Sequence, residues 1–175
     1  RIDMVGALFT REATMLDHIS IGVGDLAKAR AFYDAALAPL GYTLLSEDVG
    51  SLGYGAGEVA LWVLRSAAPV KDDDGSGLHI CFVAPTRRSV DGFHAAALKH
   101  GGRDNGAPGP RPDYGPSYYA AFVKDPDGYR LEAHCGADRR GEAAADHQHD
   151  AGAQPYRGEG HPQAARPHPS GDAQL

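Results

Sequence analysis

The chain has 175 residues, 17 Lys and Arg against 23 Asp and Glu, and a formal net charge of −6. That balance lacks the clustered cations of a nucleic-acid surface, and no run approaches the ~20 apolar residues of a membrane span. Two cysteines, Cys81 and Cys135, make neither a disulfide framework nor a thiolate zinc site, so a reducing cytoplasm is the expected setting.

Residues 1–14 show no secretory pattern and read as a flexible N-terminal extension, with Met15 as the natural start. Ile19, Ile21 and Val23 alternate with Ser20 and Gly22, which predicts a strand. Leu26, Ala29, Phe32, Tyr33, Ala36 and Leu37 recur every three or four positions, which predicts an amphipathic helix capped by Asp25 and stopped at Gly41. Strand-like pieces follow at Tyr42–Leu45 and Val59–Leu64, with a Gly-rich turn between them.

A shift of 61 residues lays His18 on His79, Phe32 on Phe93, Leu37 on Leu98 and Gly41 on Gly102. The second half repeats the order. His79–Val83 is an apolar strand. Val90, Phe93, Ala97 and Leu98 mark a helix, capped by Thr86 or Ser89 and ended by Gly101-Gly102. His94 and His100 read as exposed helical residues. Asn105–Pro112 is rich in Pro and Gly and reads as a loop. Tyr118–Val123 and Tyr129–His134 read as strands joined by the turn Asp125-Pro126-Asp127-Gly128. The fold class is therefore α+β, a duplicated βαβββ unit with modules at 15–70 and 77–135, whose halves can pack side by side around a cleft. From Gly136 to Leu175 the only large apolar side chains are Tyr156 and Leu175, so 136–175 reads as a disordered tail.

His18 and His79 hold equivalent positions near the start of each module. Equivalent positions converge near a pseudo-twofold axis, where two imidazoles can hold one metal ion; the plainer alternative is two hydrogen-bonded strand histidines. Glu132 sits between Leu131 and Ala133, and a buried carboxylate there needs a partner, a proton or a cation. Two His and one carboxylate form a set that suits Fe, Mn, Ni or Zn. Glu132 is then also a candidate catalytic group, and His134, on the same strand face, a candidate proton carrier. Alignment of the last strands sets Trp62 where the symmetric fourth ligand would stand; it could wall the pocket. Of the adjacent Tyr118 and Tyr119, one is expected to reach the cleft and the other to pack. Arg130 could meet an anionic substrate, although a solvent-facing role fits it as well. Cys81 reads as inert packing. The tail residues His147, His149, His161 and His168 could bind Ni or Zn weakly.

His18-Ile19-Ser20-Ile21-Gly22-Val23, Phe32-Tyr33, His79 and the ending Asp125-Pro126-Asp127-Gly128-Tyr129-Arg130-Leu131-Glu132 together resemble the vicinal oxygen chelate superfamily. That group holds glyoxalase I, extradiol dioxygenases, fosfomycin-resistance enzymes, methylmalonyl-CoA epimerase and bleomycin-binding proteins. The resemblance covers about Met15 to Cys135. It implies paired βαβββ modules forming an incomplete barrel around a divalent metal, with His18, His79 and Glu132 at three ligand positions. Trp62 stands where glyoxalase I places a Glu, a departure from that enzyme. The resemblance also implies a homodimer. Two functions follow as expectations: a metal-dependent dioxygenase or lyase acting on a small molecule, or a metal-free drug- or metabolite-binding protein of the bleomycin resistance type.

Overall fold

The computed structural model describes residues 15–70 and 78–136. The expected N-terminal extension and, beyond Gly136, the expected tail lie outside the described residues.

The chain order is β1 (Ile19–Val23), α1 (Leu26–Leu37), a 3-10 turn (Ala38–Leu40), β2 (Thr43–Asp48), β3 (Ser51–Ala56), β4 (Glu58–Arg65), β5 (Ile80–Val83), α2 (Arg87–Lys99), β6 (Arg103–Pro110), β7 (Tyr119–Lys124) and β8 (Arg130–Cys135). The repeat offset of 61 holds in space: β1 and β5 begin that far apart, as do α1 and α2. Each half builds one four-stranded sheet, ordered β1-β4-β3-β2 and β5-β8-β7-β6. The first strand of each half pairs parallel with the last, and the other pairs are antiparallel.

Both helices start where a side chain satisfies free backbone donors. The Asp25 carboxylate accepts from the N–H groups of Ala27 and Lys28, and the Thr86 hydroxyl accepts from Ser89 N–H. Helix α1 buries Phe32, Tyr33, Ala36 and Leu37 against Ile21, Val23, Leu61 and Val63 of its sheet. Helix α2 buries Val90, Phe93 and Ala97 against the face that carries Ile80, Val123, Leu131 and Ala133. Each large side chain so buried contributes roughly 1.5–3 kcal/mol. The helices also pack on each other. A Cβ at Gly92 would stand 3.0 Å from Pro39, which follows α1.

Polar groups of the β7–β8 turn tie the modules together. Asp125, with no exposed surface, accepts the Tyr33 hydroxyl at 2.7 Å and the N–H groups of Asp127, Gly128 and Tyr129. The Tyr129 hydroxyl donates to Gly22 O and accepts from Gly22 N–H. Asp127 accepts from Gly24 N–H.

Three expectations need correction. The Gly-rich stretch read as a turn contains strand β3; Gly55 is required there because a Cβ would fall 1.8 Å from Glu58 O. The Asn105–Pro112 stretch read as a loop lies mostly in β6, an edge strand whose register slips twice along β7; an edge tolerates Pro because its outward side needs no donor. The His94 side chain is largely buried, not exposed, with Nε2 2.8 Å from Asp104.

Candidate functional site

Strand alternation builds the site on the face of the second sheet that turns away from α2. Glu132 is the central residue of that face in β8 and is only 3% exposed. Its register partners are Cys81 on β5 and Phe122 on β7. His79, two residues before Cys81, reaches the same face: its Nε2 lies 3.0 Å from Glu132 Oε2. The Tyr118 hydroxyl donates to the other oxygen, Oε1, at 2.7 Å. Each carboxylate oxygen therefore has its own partner. Burial opposes ionisation of Glu132, but the bonds to His79 and Tyr118 outweigh it and hold its pKa below the usual carboxylate value.

Around this pair the side chains are aromatic or soft. The His79 ring lies 6.1 Å from the Phe122 ring. The His134 ring stacks on Tyr118 at 3.6 Å, and Tyr114 meets Tyr118 edge-on at 5.3 Å. His134 Nε2 is buried with no hydrogen-bond partner among the described residues. Burial lowers the His134 pKa against the pull of the Glu132 charge. Cys81 is exposed as a residue, which corrects its reading as apolar packing. Burial of the thiol and the adjacent Glu132 carboxylate nevertheless push its pKa up to about 12.

His18 stands apart from this cluster. Its Nδ1 lies 2.8 Å from Asp17, and it lines, with Tyr42, Leu61 and Cys81, a cavity of about 370 Å³ to which β1 and β5 both contribute. Among the described residues, no group of three or more His, Cys, Asp or Glu gathers as a metal cluster. Trp62 occupies the Glu132 position of the first sheet, partly buried and lying against Gly53. Tyr119 turns to the helix side, where its hydroxyl bonds Asp91 and its ring lies under Arg87. Arg130 donates to Leu78 O.

Two neighbours of the site escaped sequence reading. Cys81 was legible in principle, since it falls two residues after His79 on the same strand face. Arg111, whose guanidinium lies 5.3 Å from the centre of the Phe122 ring, was hidden in the stretch read as a loop.

The family description Glyoxalase/Bleomycin resistance protein/Dioxygenase superfamily matches residues 15–133. The chain belongs to that superfamily. A glyoxalase/bleomycin resistance protein from Albidiferax ferrireducens T118 is 30% identical; the match covers 69% of this chain and 98% of that one, with a TM-score of 0.61. A glyoxalase/bleomycin resistance protein/dioxygenase from Alicyclobacillus acidocaldarius is 19% identical over 74% of this chain and 97% of that one, with a TM-score of 0.55. The genomically encoded fosfomycin resistance protein of Listeria monocytogenes is 18% identical over 71% of this chain and 94% of that one, at 0.53. The last two share the fold alone. No curated protein matches the chain. Among the described residues, no helix is long and apolar enough to cross a membrane.

Proposed function

We propose that this superfamily member is a divalent-metal-dependent enzyme acting on a small molecule through two adjacent oxygens, by dioxygenase or lyase/isomerase chemistry. The observation that carries the reading is the His79–Glu132 pair, an imidazole nitrogen 3.0 Å from the oxygen of a nearly inaccessible carboxylate. Such a nitrogen and oxygen fit two ligand positions of Fe, Mn, Ni or Zn. When bound, the metal supplies Lewis-acid polarisation of substrate oxygens.

The third donor is His18, and in this reading it comes from a second copy of the chain. His18 is half exposed, and β1 and β5 are each the outer strand of their sheet. A homodimer that sets the β1 edge of one copy beside the β5 edge of the other brings His18 to His79 and Glu132. Trp62, Phe122 and the Tyr118 ring then wall the substrate space, and His134 is the nearest further imidazole.

The test uses full-length chains in which His147, His149, His161 and His168 are Ala, so that those residues bind no metal. H18A alone and E132A alone should each lose bound metal. Unfolding and refolding the two together should restore roughly a quarter of the reference stoichiometry, since random pairing leaves one intact site in each mixed dimer. No recovery, with a reference chain that binds metal, overturns the shared site. A second reading, metal-free binding of an apolar ligand, is favoured by Trp62 standing where symmetry would put a second carboxylate. A reference chain that takes up no metal would select it.

A further inference from the structure

We propose that Tyr118 is a positioning residue that pins Oε1 of Glu132, so that Oε2 alone is offered to the metal. This rests on the metal-dependent reading above. The two oxygens of Glu132 face different partners: Oε1 takes the Tyr118 hydroxyl at 2.7 Å and Oε2 faces His79 at 3.0 Å, with the Cys81 thiol also against the carboxylate. A cation that enters beside His79 meets Oε2 first. Oε1 is already engaged by a neutral phenol, a donor that strengthens as its acceptor stays ionised. The carboxylate therefore binds through one oxygen and cannot swing to offer both.

The phenol can do this because it is itself held. Tyr118 lies just before β7 in a tight segment, where its N–H donates to Gly115 O and its C=O accepts from Arg111 N–H. The His134 ring covers one side at 3.6 Å and Tyr114 meets it edge-on. His134 stands in a strand with its Nε2 buried and, among the described residues, unbonded, so the imidazole contributes its face here.

Tyr119 supplies a matched control. Its phenol also bonds a carboxylate, that of Asp91, but on the opposite side of the sheet.

The experiment titrates Co²⁺ alone into the full chain with the four histidines beyond residue 136 changed to Ala, reading affinity by competition and coordination by visible absorbance. Y118F should bind Co²⁺ about tenfold more weakly, the effect of losing one hydrogen bond to a charged group. Its d–d bands should also shift as Glu132 gains a second free oxygen. Y119F should lower the unfolding temperature while leaving affinity and bands as in the reference. H134A, which removes the plate behind Tyr118, should shift the bands in the Y118F direction and decides the matter if Y118F does not fold. Reference affinity and bands in folded Y118F, or in H134A where Y118F does not fold, overturn the positioning role and leave the metal reading standing. A reference chain that binds no Co²⁺ overturns both.

Discussion

Trp62 and Glu132 occupy the same register position in the two sheets: Trp62 pairs with Ser20 on β1, and Glu132 pairs on β5 with Cys81, which stands 61 residues after Ser20. The duplicated scaffold thus presents an indole on one face and a carboxylate on the other. The indole fits because its cross-strand partner is glycine. A Cβ at Gly53 would stand 3.0 Å from the Trp62 ring and 3.0 Å from both Val59 methyl carbons. Gly53→Ala should therefore displace the ring, at a cost of about 1–3 kcal/mol for overpacking. Trp62 is the only tryptophan of the chain, so its emission reports the displacement directly. An unchanged emission spectrum and unfolding midpoint would show that the indole does not rest on Gly53.

Cys81 reports the charge on Glu132. Burial is the larger cause of its raised pKa, and the neighbouring carboxylate adds to it. At pH 8 a thiol with a pKa of about 12 is ionised in roughly one molecule in ten thousand, against roughly one in four for an ordinary cysteine. Alkylation of Cys81, followed by mass spectrometry, should be slow in the native protein although the residue is exposed. Glu132→Gln removes the charge and keeps the shape, and should speed the reaction roughly tenfold at that pH. Equal rates in the two proteins would mean that Glu132 carries no charge beside the thiol.

Much of this architecture was legible before any coordinates. Both helices follow from apolar residues spaced three and four apart, and the first strand and helix of the second module follow from those of the first by the offset of 61. The same-face logic of β8 also led to Glu132 and His134. Strands β3 and β6 were not legible, because the residues that make them possible are those that usually break strands. Gly53 and Gly55 are there for close approach to Trp62 and Glu58, and Pro110 ends an edge strand. That His18, His79 and Glu132 do not gather as one cluster among the described residues was hidden for another reason. Each module specifies its own sheet through local alternation, but no local pattern states which module packs on which. The turn that sets the packing, Asp125 to Tyr129, was legible only as a turn.

The His94–Asp104 contact joins α2 to the edge strand β6. Burial acts to raise the Asp104 pKa, but the bonds from His94 and from Gly106 N–H prevail, and the net shift is downward from 3.8. A carboxylate depressed in the fold stabilises it at pH values above 3.8, and that contribution is lost as pH falls from 3.8 through the lower folded value. The Asp104 side chain is 58% exposed, so solvent screening limits the contribution to about 0.5–1 kcal/mol. Asp104→Asn should lower stability by that amount at pH 7, and the gap between the two proteins in urea titrations should close below pH 3.8. A gap that persists undiminished at pH 3 would assign the effect to shape rather than charge.

Asp125 ties the two modules together through α1. It gathers the Tyr33 hydroxyl from α1 and three backbone N–H groups from its own turn, with no exposure to water. Removing the carboxylate takes this acceptor from the Tyr33 hydroxyl and from the N–H groups of Asp127 and Tyr129, while Gly128 N–H keeps its bond to Asp125 O at 3.1 Å; each donor left buried and unpaired costs about 1–3 kcal/mol unless it relaxes. Asp125→Ala should thus destabilise the protein by at least 3 kcal/mol. Tyr33→Phe removes one donor and leaves the carboxylate bound by three, so it should cost about 1.5–3 kcal/mol, the value of one bond to a charged group. The double variant should cost less than the two single costs together, because both delete the same bond. Chemical denaturation of the four proteins measures this coupling. Strict additivity would mean that Tyr33 and Asp125 act separately and that the tie between modules lies elsewhere, at Tyr129 on Gly22 and Asp127 on Gly24.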